Sequence, residues 1–183
     1  GLRGRVAFWA TPSCAALGCS SASTRLPRAH SRSCEERCDH ARIVDRPDDF
    51  ARAKREGRIA ALITVEGGDF LAGGAQRVAQ AAKDGVRAIT LVHYRPNEVG
   101  DAQTAPPLHG GLSAFGRDIV REMAAERLLV DVAHASEATV RGVMAASDRP
   151  FISSHTAVLG PASDNPRFIA PELAKDIARH GGV

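Results

Sequence analysis

Aromatic residues are scarce: 4% of 183 residues, with one tryptophan and one tyrosine. A surface that stacks nucleic-acid bases needs more, so a nucleic-acid role is not expected. Charge of one sign is lacking too. Twenty-four basic and 21 acidic residues leave only +3. Lysine is nearly missing, with Lys54, Lys83 and Lys175 alone among the basic residues. We read the arginine excess as coding bias, not chemistry. No apolar run reaches the roughly 18 residues that a membrane span requires. Residues 1–10 carry two arginines and a short apolar patch without a signal-like core, so no secretory leader is expected, and the expected compartment is the cytoplasm. No Gly-x-Gly-x-x-Gly follows the first apolar strand, and the P-loop and the Gly-x-Ser-x-Gly elbow are missing. What is present is ordinary for one soluble domain: 44% hydrophobic and 25% charged residues. That excludes a disordered chain, a collagen and a coiled coil.

The chain divides near residue 40. Residues 11–40 are rich in Ser, Arg and Ala and hold all four cysteines, Cys14, Cys19, Cys34 and Cys38. Their C-x4-C and C-x3-C spacing lacks the tight knuckles of most zinc modules, and nothing indicates export. An irregular segment is therefore the favoured reading over a zinc site or two disulfides. From residue 47 the pattern becomes regular. Helices are expected over Pro47–Arg58, Ala75–Asp84, Ser113–Arg127, Ser136–Ser147 and Pro171–His180. Ser113 and Ser136 are expected N-caps, and Pro171 suits a first helical turn. Short apolar runs predict strands at Ile59–Val65, Val86–Val92, Leu128–Val132 and Phe151–Ser154. Strands alternating with helices imply parallel βαβ units, as an open sheet or a (β/α)8 barrel.

The strand ends decide between these. Ile59–Val65 runs into Glu66, Val86–Val92 into His93, Leu128–Val132 reaches His134 after one alanine, and Phe151–Ser154 runs into His155. In a barrel, the C-terminal strand ends form one mouth. A carboxylate and histidines meeting there suit a divalent metal such as zinc. Asp69, Asp101, Asp131 and His109 lie nearby in sequence. Asp131 is placed to support His134, Asp101 to close its loop, and His109 to line the mouth or be positioned by the adjacent glycines.

VEGGD (65–69), LVHYRPNEVGDAQTAPPLHGGLSAFGRDIVREM (91–123), LLVDVAHAS (128–136), FISSHT (151–156) and NPRFI (165–169) together resemble the membrane dipeptidase (renal dipeptidase) family of zinc metallopeptidases, bacterial members above all. The resemblance covers roughly residues 48–183; GLRGRVAFW is also similar, whereas residues 11–40 match poorly. It implies a partial (β/α)8 barrel, with 1–46 as a poorly matching, disordered or frame-shifted segment and 47–183 as the catalytic unit. It implies zinc-dependent hydrolysis of dipeptides by metal-activated water. By the same resemblance, Glu66 corresponds to a carboxylate bridging two zinc ions, His134 and His155 complete the second zinc, His93 contacts substrate and stabilises the tetrahedral intermediate, and Arg167 engages substrate. The full-length protein is expected to be able to form a homodimer.

The first zinc of that family also takes a His-x-Asp pair, and a late strand supplies a further aspartate. No His-x-Asp exists in this sequence. By the family layout the pair would precede Gly1 and the aspartate would follow Val183. The expectation is thus a fragment holding one zinc shell and part of the other, inactive alone. A different amidohydrolase-type barrel hydrolase and a non-catalytic binding relative are the alternatives.

Overall fold

The computed structural model describes residues 41–183 and the backbone of residues 5–10. The four cysteines lie outside the described residues. Among the described residues there are seven strands: β1 (Arg5–Ala10), β2 (Ala41–Ile43), β3 (Ile59–Glu66), β4 (Ala88–Thr90), β5 (Leu129–Asp131), β6 (Ala157–Val158) and β7 (Phe168–Ile169). The α-helices are α1 (Pro47–Arg55), α2 (Gln76–Lys83), α3 (Ala114–Ala125), α4 (Glu137–Ala146) and α5 (Pro171–Arg179), with a 3-10 turn at Gly68–Leu71.

Strand β3 pairs in parallel with β2 and β4, and β4 in parallel with β5. Asp131 continues the order through a parallel bridge to Ile152. Val183 then bonds on both sides of Ile152, accepting from Ser153 N and donating to Phe151 O. Spatial order therefore follows chain order, β3, β4, β5, Ile152, Val183. A doubly wound sheet reverses its order at a switch point, whereas a barrel wall does not. The exception to the parallel order is β1, which lies antiparallel along β3 from Arg5↔Glu66 to Ala10↔Ala61; residues before 47 thus join the same sheet.

Helices cover the wall with apolar faces at helical spacing. Val78 and Ala81 of α2, Ile119, Val120 and Met123 of α3, Val140 and Val143 of α4, and Leu173 and Ile177 of α5 are all buried. They close on Ile63, Val65, Ile89 and Val130 from the strands. Both expected caps form: Ser113 accepts from Gly116 N and Ser136 from Thr139 N.

Two expectations need correction. The Phe151–Ser154 strand is reduced to the bridge at Ile152. The ladder stops there because the Ser154 N–H goes to the Asp131 side chain, at 3.0 Å. The helix expected to reach Arg58 ends at Arg55, because Gly57 turns at φ +65° and Arg58 N bonds back to Ala53 O.

Candidate metal centre

One register row runs across the sheet: Glu66 opposite Thr90, Thr90 opposite Asp131, Asp131 opposite Ile152. Glu66 sits in that row. His93, His134 and His155 each lie three residues beyond its Thr90, Asp131 and Ile152. The three histidines' equal offset from the row that holds Glu66 brings all four to the same end of the sheet.

Local backbone makes this possible. Gly67 and Gly68 continue the pairing beyond Glu66, donating to Thr90 O and Leu91 O. A Cβ on Gly68 would lie 2.5 Å from Leu91 O, so only glycine allows that approach. His134 takes φ +67°, a left-handed conformation rare for a non-glycine residue. Backbone strain of that kind collects at functional sites.

Glu66 Oε1 is the hub. It lies 3.3 Å from His134 Nε2, 3.3 Å from His155 Nε2 and 3.4 Å from His93 Nε2. The His134 and His155 Nε2 atoms are 2.7 Å apart. Ligand atoms of Glu66, His134 and His155 all fall within 4.8 Å of one another, and the three could hold a metal ion. A tetrahedral ion at about 2.0–2.1 Å from each imidazole wants ligand atoms roughly 3.3 Å apart. The two glutamate–histidine spacings meet that; the histidine pair is drawn closer by the N–H···N contact between the rings. The donor set therefore fits. Burial first, then the Arg167 guanidinium and the His93 and His155 rings, push His134 from 6.5 down to about 4, with Glu66 opposing. A neutral imidazole is the form that binds a metal. His93 packs edge-on against His134, with ring centroids 4.4 Å apart, and Tyr94 lies 4.1 Å from His93.

Arg167 reaches the rim. Its guanidinium donates to Gln103 Oε1 at 2.5 Å and to the His155 carbonyl at 3.2 Å. Gln103 in turn donates its backbone N–H to the His134 carbonyl at 2.8 Å. Residues 97–111 hold Gln103 there through Asp101, whose side chain accepts from the N–H groups of Leu108, His109 and Gly111. Burial alone would raise Asp101, but those N–H donors outweigh it and hold the carboxyl below its ordinary range. Asp101 thus closes its loop as expected. His109 ties the same loop through Nε2 and the Asn97 carbonyl, 2.8 Å apart. Asp69 pairs with Arg95 at 3.6 Å. Asp131 is not the partner of His134: it bonds to Ser154, which contacts His155, and His134 Nδ1 is buried with no partner among the described residues. The sequence pattern does not single out Gln103, Thr90 or Ser154. Two of them lie within quoted stretches, but no spacing rule singles out a neutral polar side chain there.

The sequence matches the model of "Membrane dipeptidase (Peptidase family M19)" over residues 10–183. The chain belongs to the membrane dipeptidase family. Among curated proteins, dipeptidase verJ of Clonostachys rogersoniana is 38% identical over 130 residues, 70% of this chain and 33% of its own. Among solved structures, an amidohydrolase from Pseudomonas aeruginosa is 27% identical with a TM-score of 0.78, covering 85% of this chain and 47% of its own. The probable dipeptidase PvdM from the same organism is 23% identical with a TM-score of 0.79, covering 85% and 41%, and shows the shared fold. This membrane dipeptidase family chain spans about a third of the length of the curated relatives it matches. Among its described residues no helix is long and apolar enough to cross a membrane.

Proposed function

We propose that this chain carries part of the active site of a zinc-dependent dipeptidase, with Glu66, His134 and His155 as metal ligands. The observation that carries the reading is the convergence of these three side chains, within 4.8 Å, at one end of the parallel sheet. When bound, zinc lowers the pKa of a coordinated water and polarises a scissile carbonyl. His134 and His155 supply Nε2 donors, and Glu66 supplies a carboxylate able to bridge. His93, held 3.4 Å from Glu66 Oε1, is placed to donate to an oxyanion developing over the cluster. The Arg167 guanidinium, oriented by Gln103 and the His155 carbonyl, presents a forked donor suited to a substrate carboxylate. Residues 47–183 form the catalytic portion in this reading, and the full-length protein is proposed to dimerise, which sedimentation velocity tests.

The experiment is hydrolysis of a dipeptide panel by the zinc-loaded full-length protein. Activity abolished by a chelator and restored by zinc is expected. Full activity after chelation, or activity on cyclic amides but not dipeptides, would overturn the dipeptidase reading.

A further inference from the structure

The Asp131 carboxylate sorts its donors by type. Oδ1 accepts backbone N–H groups, from Ala133 at 3.0 Å and Ser154 at 3.0 Å. Oδ2 accepts hydroxyls, from Thr90 Oγ1 at 2.6 Å and Ser154 Oγ at 2.6 Å. The residue is buried, with four donors converging on its two oxygens. A carboxylate has no hydrogen to give, so each hydroxyl must point its own at Oδ2. Ser154 has one such hydrogen. With that hydrogen committed to Asp131, Ser154 Oγ can only accept from the other neighbour within reach, His155 Nδ1 at 2.9 Å. Nδ1 then carries a hydrogen, and in the neutral ring His155 Nε2 is left with a bare lone pair. That Nε2 is the atom 3.3 Å from Glu66 Oε1.

The His134–His155 contact has the matching polarity. Two Nε2 atoms 2.7 Å apart need one hydrogen between them. In the metal-free chain a bare, neutral His155 Nε2 accepts, so His134 donates from Nε2 and its own Nδ1 carries no hydrogen; a bound metal would take the place of that hydrogen. That Nδ1 is the buried atom without a partner among the described residues.

We infer that Asp131, acting through Ser154, fixes His155 as the Nδ1-protonated tautomer and aims its Nε2 lone pair at the cluster, which makes Asp131 and Ser154 determinants of divalent-metal affinity. This rests on the reading of Glu66, His134 and His155 as ligands. Asp131 and Ser154 touch neither substrate nor metal; they are positioning residues.

Asp131→Asn reverses the chain without changing its shape. The Asn oxygen in place of Oδ1 still accepts both backbone N–H groups. Its amide nitrogen in place of Oδ2 donates to Ser154, which must then donate to His155 Nδ1 and drive the ring proton to Nε2. The test is nitrogen-15 imidazole correlation NMR on the metal-free 183-residue chain under mildly alkaline conditions, with cobalt(II) and zinc affinity measured by competition against a chromophoric chelator. Expected are a Nδ1-protonated His155 in the wild type, a switch to Nε2–H in Asp131→Asn, and a roughly 10- to 100-fold loss of metal affinity in Asp131→Asn and Ser154→Ala. Ser154→Thr, which keeps the hydroxyl, should restore affinity. A wild-type His155 protonated at Nε2 overturns the inference. So do Asp131→Asn and Ser154→Ala chains that stay folded by circular dichroism and bind metal as tightly as the wild type. A wild-type chain that binds neither metal overturns the ligand reading instead, and the NMR tautomer still decides the positioning role on its own.

Discussion

Replacing Asp101 by Asn should loosen the loop that carries Gln103. Asp101 is 1% exposed. Its Oδ1 accepts from Leu108 N at 2.7 Å and His109 N at 3.0 Å, and its Oδ2 accepts from Gly111 N at 2.7 Å. Asn offers one acceptor oxygen and one donor nitrogen. Either orientation turns the amide NH2 toward one of the two 2.7 Å donors, leaving a buried N–H facing another N–H. An unsatisfied buried donor costs about 1–3 kcal/mol, and the surviving bonds lose their charge assistance. The expected loss is about 2–4 kcal/mol, a large share of the 5–15 kcal/mol typical of a domain. Urea unfolding should show a lower midpoint at unchanged slope. Amide exchange at Leu108 and Gly111 should quicken more than in α3. A destabilisation under about 0.5 kcal/mol, the range of a plain surface substitution, would refute the claim that this carboxylate organises the loop.

The same group gives a pH dependence. Its folded-state pKa lies below the ordinary 3.8, so its contribution to stability is present above that value and lost as pH falls through the folded-state pKa. Acid titration of the unfolding free energy should show a component in that window that Asp101→Asn removes. Gly68→Ala places a Cβ 2.5 Å from the Leu91 carbonyl; such overpacking should cost about 1–3 kcal/mol and, by displacing Glu66, weaken metal binding, both read by metal titration and urea melts. Gln103→Ala in the full-length protein removes an Arg167 partner at 2.5 Å; KM for dipeptides should rise roughly tenfold, equivalent to about 1.4 kcal/mol, with kcat changed less, as steady-state kinetics will show.

The strand ends were legible because polar residues interrupt apolar runs at equivalent places. That pattern singles out Glu66, His93, His134 and His155, and the structure brings them together around Glu66 Oε1. Helix caps were legible for the same local reason: Ser113 and Ser136 precede the periodic apolar residues they cap. Connections made across the sheet were not. Asp131 sits in sequence beside His134, yet side chains in one register row reach sideways, so its carboxylate serves Ser154 on the next segment. Phe151–Ser154 reads as a strand by composition, but a side-chain acceptor captures the Ser154 N–H. Nor does periodicity reveal that Gln103, within a long Pro- and Gly-containing loop, returns to the His134 carbonyl and Arg167.

Cobalt(II) titration of the chain, followed by visible absorption, shows whether Glu66, His134 and His155 form a divalent-metal site. Saturable binding is expected, with an absorption band that Glu66→Ala, His134→Ala and His155→Ala each weaken or abolish in folded protein. Absence of saturable binding, or a band unchanged in all three variants, would contradict it.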